Sequence, residues 1–264
     1  IDAAAAAGYD VTVVGSGEPG RVPLPAGVRF AAVTRHRFGP AGRAGQALRL
    51  ALGRVDPRAF ETWTWRKPDH RAAFDAVVAA RPDLIQPNEA ISLPIALAAA
   101  DALAAAPGGA ARRRVPVLFD AHEYSPDRLP RRTLTRWLAQ PYYTWLVRTQ
   151  APRAAAMTTV ADGIADRYRD AFGLAPVVVR NCPAYVDLAP RPTDPDHLVL
   201  VHHGVALRAR RLEDMIDVVA ACDRRFALTF MLVESDRGYV DDLARHAARA
   251  APGRVTFRPP VAPA

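Results

Sequence analysis

Val115-Pro116-Val117-Leu118-Phe119 runs directly into Asp120-Ala121-His122-Glu123. An unbroken apolar run of this length predicts a strand buried on both faces, as in a parallel sheet. In open parallel sheets, ligands collect at the carboxyl ends of the strands. An aspartate, a histidine and a glutamate stand at that end here, and histidine changes charge near neutral pH. A capped strand end explains the same residues without a ligand, with Asp120 holding a turn and His122 half-exposed. The position of this strand in the whole chain decides between the two.

Strands and helices alternate outward from it. Val11–Val14, Val28–Val33, Asp83–Gln86, Val115–Phe119, Met157–Val160 and Val177–Val179 read as strands. Helices are expected over 41–53, 70–80, 91–106, 131–154 and 161–172. That alternation predicts an α/β domain with a doubly wound parallel sheet. Pro183, Pro190, Pro192 and Pro195 then exclude a long helix or a central strand, so 183–196 reads as a linker. A second α/β pattern follows: strands 198–202, 226–233 and 255–257, helices 210–222 and 237–250. The expected organisation is a first domain over 1–182, the linker, and a partial second domain over 197–264. Asp2–Ala7 reads as the end of a helix whose preceding strand is missing, and three strands with two helices make a small core. Both ends therefore read as cut from a longer protein.

Composition narrows the function classes. The chain has 264 residues and a formal charge of +8, and Lys67 is its sole lysine among 35 basic residues. Arginine binds phosphate and carboxylate through a planar fork. The arginines are scattered without interleaved aromatics, which argues against a nucleic-acid groove. No apolar run is long enough to span a membrane. Cys182 and Cys222 form no metal or redox spacing and are compatible with a reducing compartment. A cytoplasmic protein is expected. Arg131–Arg148, with Trp137, Tyr142, Tyr143 and Trp145, reads as core packing, with a peripheral membrane contact as the alternative. Trp63 and Trp65 read as loop residues able to stack on a sugar or lipid.

The order of motifs resembles the family-4 glycosyltransferases of the GT-B fold. Gly8-Tyr9-Asp10-Val11-Thr12-Val13-Val14 is similar to that family's second strand, and Arg81-Pro82-Asp83-Leu84-Ile85-Gln86 to a later one. Val117 to Glu123 resembles its strand ending in Asp-x-His. Thr158-Thr159-Val160-Ala161-Asp162-Gly163 resembles a strand-to-helix turn, and Val178 to Pro183 the exit from the first domain. Val201-His202-His203-Gly204 with Arg210-Arg211-Leu212-Glu213 resembles the opening of the second. The resemblance implies two Rossmann-like parallel-sheet domains, the second incomplete, with a cleft between them. It implies transfer of a sugar from a nucleotide-diphosphate sugar to a glycan, lipid or small-molecule acceptor, commonly with retention. No cofactor and no metal at the reaction centre are implied.

The site residues follow from that resemblance. His122 matches the histidine facing the donor sugar, in a positioning role, and Glu123 shares its placement. Arg210 matches the phosphate-binding cation, at the start of the expected helix 210–222, and Arg208 is a second candidate. A cation beside a helix N-terminus is unfavourable unless an anion joins it; otherwise these are solvated arginines. Gly204 stands where a side chain would block close approach, or is an ordinary turn glycine. Asn181 reads as a turn or hinge residue, and Gly15-Ser16-Gly17 as a plain turn lacking the third glycine of a phosphate loop. His202 and His203 lack partners at metal-ligand spacing. Arg211 replaces a family glycine, Glu234-Ser235-Asp236 replaces Gly-x-Gly, and the family's acidic pair would lie beyond Ala264. The chain alone is thus expected to be inactive. A non-catalytic GT-B-like binding or scaffold protein and a sugar-nucleotide epimerase are the rival readings.

Overall fold

A computed structural model describes residues 1–17, 24–36, 38–105, 114–128, 134–182, 185–190 and 192–261. The last residue of the helix expected over 91–106, the first three of that expected over 131–154, and residues 183, 184 and 191 of the expected linker lie outside the described residues. The chain divides into two units, Ile1–Pro183 and Ala184–Ala264.

In the first unit, α1 (Asp2–Ala6) precedes β1 (Thr12–Ser16), which pairs in parallel with β2 (Arg29–Val33). Four helices follow: α2 (Pro40–Leu52), α3 (Arg58–Trp65), α4 (Pro68–Ala80) and α5 (Leu93–Ala105). Pro40 and Pro68 open α2 and α4, where a missing N–H leaves nothing unpaired. Next come β3 (Leu118–Ala121), α6 (Leu134–Gln150), β4 (Ala156–Thr159), α7 (Asp162–Phe172) and β5 (Val177–Val178). β3, β4 and β5 form a parallel sheet in that order. Alanine-rich α5 is buried almost all round, with Leu93, Leu97, Ala99 and Ala100 against Phe119, Tyr142, Leu146 and Tyr168.

Several expectations change. The quoted strand begins at Leu118 rather than Val115 and runs through Asp120 and Ala121, because β4 offers a parallel partner as far as Thr159. Its faces are also unequal: Val117, Phe119 and Ala121 are fully buried, whereas Leu118 and Asp120 keep some exposure. The strand expected at 83–86 reduces to two parallel bridges, Ile85 to Val117 and Asn88 to Asp120. Gly15 and Ser16 extend β1 instead of turning. Trp63 and Trp65 lie on α3, not in a loop. Phe60, Trp63 and Thr64 recur at helical spacing and point inward. On α6, Tyr142 is completely buried and its hydroxyl lies 2.8 Å from Thr64 Oγ1, so that face packs in the core. No described helix is long and apolar enough to cross a membrane.

The second unit is a parallel sheet of β6 (Leu198–Ala206), β7 (Phe226–Glu234) and β8 (Val255–Arg258), in that order. Helices α8 (Glu213–Ala221) and α9 (Tyr239–Ala250) cover one face through Ile216, Val219, Leu243 and Ala247 on Leu228, Phe230 and Leu232. The helix expected at Arg210 begins at Glu213. Arg208–Arg210 is a single 3-10 turn and Arg211 follows at φ 51°, in the left-handed region. Glu213 and Asp214 fill the first turn of α8, where the helix dipole favours negative charge and the arginines stay outside.

Candidate functional site

Two clusters stand at strand ends, one in each unit. In the first, Asp120 is the hub. Its Oδ2 lies 2.8 Å from His122 Nε2, and its Oδ1 accepts from Thr158 Oγ1 at 2.7 Å. Gln86 Nε2 donates to Asp120 Oδ2 at 3.4 Å. Asp120 side chain is 18% exposed and His122 51%, so a shielded carboxylate holds a ring that solvent reaches. Such a pair fixes which ring nitrogen meets the carboxylate and how the imidazole is aimed. The loop that follows is pinned from α7. Tyr168 hydroxyl donates to Glu123 carbonyl at 2.8 Å and accepts from Ser125 N at 3.0 Å. Asp127 closes the loop with ion pairs to Arg136 and Arg167, and these hold its carboxyl below the usual range.

Glu89 joins this cluster, and the motifs did not point to it. Its backbone N donates to Asp120 carbonyl at 2.9 Å, bringing it beside the β3 end. Its φ is 67°, a left-handed value that disfavours a side chain by about 1 kcal/mol. Its Oε2 is buried without a hydrogen-bond partner among the described residues. Burial pushes its carboxyl up; Arg128 opposes the shift and Glu123 adds to it. Strain together with an unpaired buried acceptor is the pattern of a prepared site. The available signal was an Asn-Glu step directly after the Ile85 bridge, ahead of a helix.

In the second unit the three arginines part ways. Arg208 pairs with Asp242, lies 4.8 Å from the Tyr239 ring centroid, and donates its backbone N–H to Asp236 Oδ2 at 2.7 Å. Arg211 pairs with Asp214. Arg210 alone of the three has no ion pair or hydrogen bond for its guanidinium among the described residues. Gly204 lies inside β6 rather than at a turn, at φ 141°, and a Cβ there would meet Arg210 Nη1 at 3.6 Å. That is ordinary contact, so the positive φ rather than a lack of space favours glycine at 204, and Arg210 lies beside it at the strand end. Tyr239 hydroxyl accepts from Leu212 N at 3.0 Å and bonds the Glu213 carboxylate, tying the starts of α8 and α9 together. Glu234 Oε1 caps Gly238 N at 2.9 Å, so the stretch replacing Gly-x-Gly shapes the turn itself. His202 packs edge-on to Phe230, centroids 5.8 Å apart. Among the described residues, no three His, Cys, Asp or Glu side chains gather as a metal site. His122 and Glu123 are thus brought into one cluster, Gly204 and Arg210 into another, and Arg208 is engaged by acids.

Known proteins resemble this chain in fold. Anabaena HepE, solved in complex with UDP and glucose, matches with a TM-score of 0.53 and 16% identity, over 89% of this chain and 57% of that one. The lipopolysaccharide outer core galactosyltransferase WaaB, in its apo form, matches with 0.51 and 12%, over 90% and 54%. TarM matches with 0.51 and 10%, over 74% and 37%. The chain therefore spans little more than half of the HepE chain. No curated protein sequence matches it. The α/β architecture with parallel sheets is of the GT-B kind, as expected. The family profile named Glycosyltransferase Family 4 matches residues 1–189, more than half of the sequence, and the chain belongs to that family.

Proposed function

We propose that the protein moves a sugar from a nucleotide-diphosphate sugar to an acceptor hydroxyl, retaining the anomeric configuration and using no metal at the reaction centre. The bond from the anomeric carbon to the distal phosphate oxygen breaks, the acceptor oxygen bonds that carbon, and the acceptor proton passes to the departing diphosphate. Negative charge grows on the leaving group, so a cation placed there lowers the barrier. The observation that carries the reading is Arg210, unpaired beside Gly204 at the end of β6, in a family-4 chain. Arg208, bound to Asp242, orders the same turn and is the lesser phosphate ligand. In the first unit His122, aimed by Asp120, contacts the transferred sugar, and Glu123 supports the same loop. Glu89 offers its unpaired carboxylate oxygen to a sugar hydroxyl. HepE with UDP and glucose gives the fold precedent for a nucleotide-sugar ligand. A glycan or a lipid supplies the acceptor hydroxyl, and the work is done in the cytoplasm.

The test incubates the protein with UDP-, GDP- and ADP-sugars and measures binding and nucleoside-diphosphate release. Binding that falls about tenfold or more in Arg210→Ala is expected, the loss of a charge-assisted phosphate contact. His122→Ala lowers kcat by about a hundredfold with little change in KM for the donor. Failure to bind or turn over any donor would sink the reading. Binding without turnover would move the assignment to the scaffold alternative.

A further inference from the structure

A cavity of about 460 Å³ opens between α2 and the α3–α4 turn, and it shares no residue with either strand-end cluster. Gly45, Gln46, Arg49, Trp63, Arg66 and Lys67 are among its lining residues, and no carboxylate among the described residues is. Lys67 Nζ sits 3.6 Å from the centroid of the Trp63 ring, a cation–π contact that holds the ammonium in the wall. Trp63 is 8% exposed, and its indole N–H is buried without an acceptor among the described residues. Arg49 spends one N–H on Gly45 carbonyl at 3.0 Å, and a Cβ at Gly45 would approach that guanidinium to 3.2 Å. Arg66 and Lys67 have no ion pair among the described residues. Burial lowers Lys67 to about 8, with Asp69 opposing, and the same burial leaves neighbouring His70 neutral.

Three cationic side chains converge on one concave space with a buried donor left over. Such an arrangement calls for an anion. A single carboxylate would leave two of the cations uncompensated; a phosphate group brings more charge and more acceptor oxygens for the two guanidinium forks. A nucleic-acid strand fits poorly, because Lys67 covers the aromatic face on which a base would stack. We propose that this cavity is a binding site for the phosphate group of a phosphoester ligand, held by Arg49, Arg66 and Lys67. The inference does not depend on sugar transfer and survives if that reading fails.

Because Lys67 is the only lysine, an amine-acylating reagent with peptide mass spectrometry reports on this site, separately from the N-terminal amine. Acylation of Lys67 is expected to reach half its maximal rate near pH 8. Millimolar glycerol 3-phosphate or a short-chain phosphatidic acid is expected to slow it by about fivefold or more. Protection by both assigns recognition to the phosphate itself, and protection by the lipid alone assigns it to a lipid-borne phosphate. No protection by either, or equal protection by sodium chloride at matched ionic strength, overturns the proposal. Arg49→Met with Arg66→Met is expected to abolish protection at unchanged circular dichroism. Exposed Arg66→Gln alone, which leaves the core untouched, is expected to weaken it, and full protection in that variant counts against the site.

Discussion

Glu89 holds a left-handed backbone and a partly buried carboxyl with one oxygen unpaired, so its charge is a burden on the folded state. Burial raises its folded pKa above the unfolded value, and the folded chain then binds more protons as pH passes through the carboxylate range. Stability contributed by this group therefore falls as pH rises through that range. Glu89→Gln should stabilise the protein at neutral pH, modestly because the group still meets water. Thermal melts should show the gain vanish in acid, and sugar transfer should fall in the same variant. His70 has the opposite profile. Burial lowers it from 6.5 to about 4, with Lys67 adding to the effect. The unfolded chain binds the proton first, so stability is whole above about pH 6.5 and is lost as pH falls towards 4. The loss amounts to about 3 kcal/mol. Melts of His70→Leu should lack this acid slope; an unchanged slope would assign it to other groups. Neither residue stood out in the sequence, because burial is made by neighbours distant along the chain.

Elements were legible where their pattern was long. Helices over 40–52, 68–80 and 162–172 lie within two residues of their expected starts. The eight-residue α3 was missed, since two tryptophans in a short polar run read equally well as a loop. The start of α8 was misplaced because nothing local announces that Arg211 adopts the conformation its glycine counterpart would. Tyr168 belongs to this scale, since one hydroxyl on α7 fastens the loop after β3 through Glu123 carbonyl and Ser125 N. Tyr168→Phe keeps the packing and strands the buried Ser125 N–H and the half-buried Glu123 carbonyl, at about 1–2 kcal/mol by denaturant unfolding. It should also depress turnover by loosening the segment carrying His122. Unchanged kcat with lowered stability would show that the loop holds its shape without that hydroxyl.

At the scale of the molecule, two units meet in the chain at Pro183 and Ala184. The described residues from Asn181 to His197 are exposed and belong to no helix or strand. Thermolysin, which cuts before residues such as Val186 and Leu188, should cleave there first and leave two resistant fragments. Early cuts inside α5 or β7 would contradict this division. By itself the sequence determined the parallel α/β plan, because unbroken apolar runs alternating with helical periods admit few other packings. It also determined the family, through motifs whose order survives changes in single residues. Tertiary structure alone decided which charges are free. Arg208, Arg210 and Arg211 are chemically alike in one short stretch. Yet Asp242, 34 residues away on α9, engages the first, and the second lies beside Gly204 of β6 with no partner for its guanidinium among the described residues; the third meets Asp214 only three residues along. Ion pairing depends on distance in space, and sequence spacing carries that only within a turn or two of helix. For the same reason His122 could be named from its motif, while Glu89, Thr158 and Tyr168 around it became visible only once the strands were side by side.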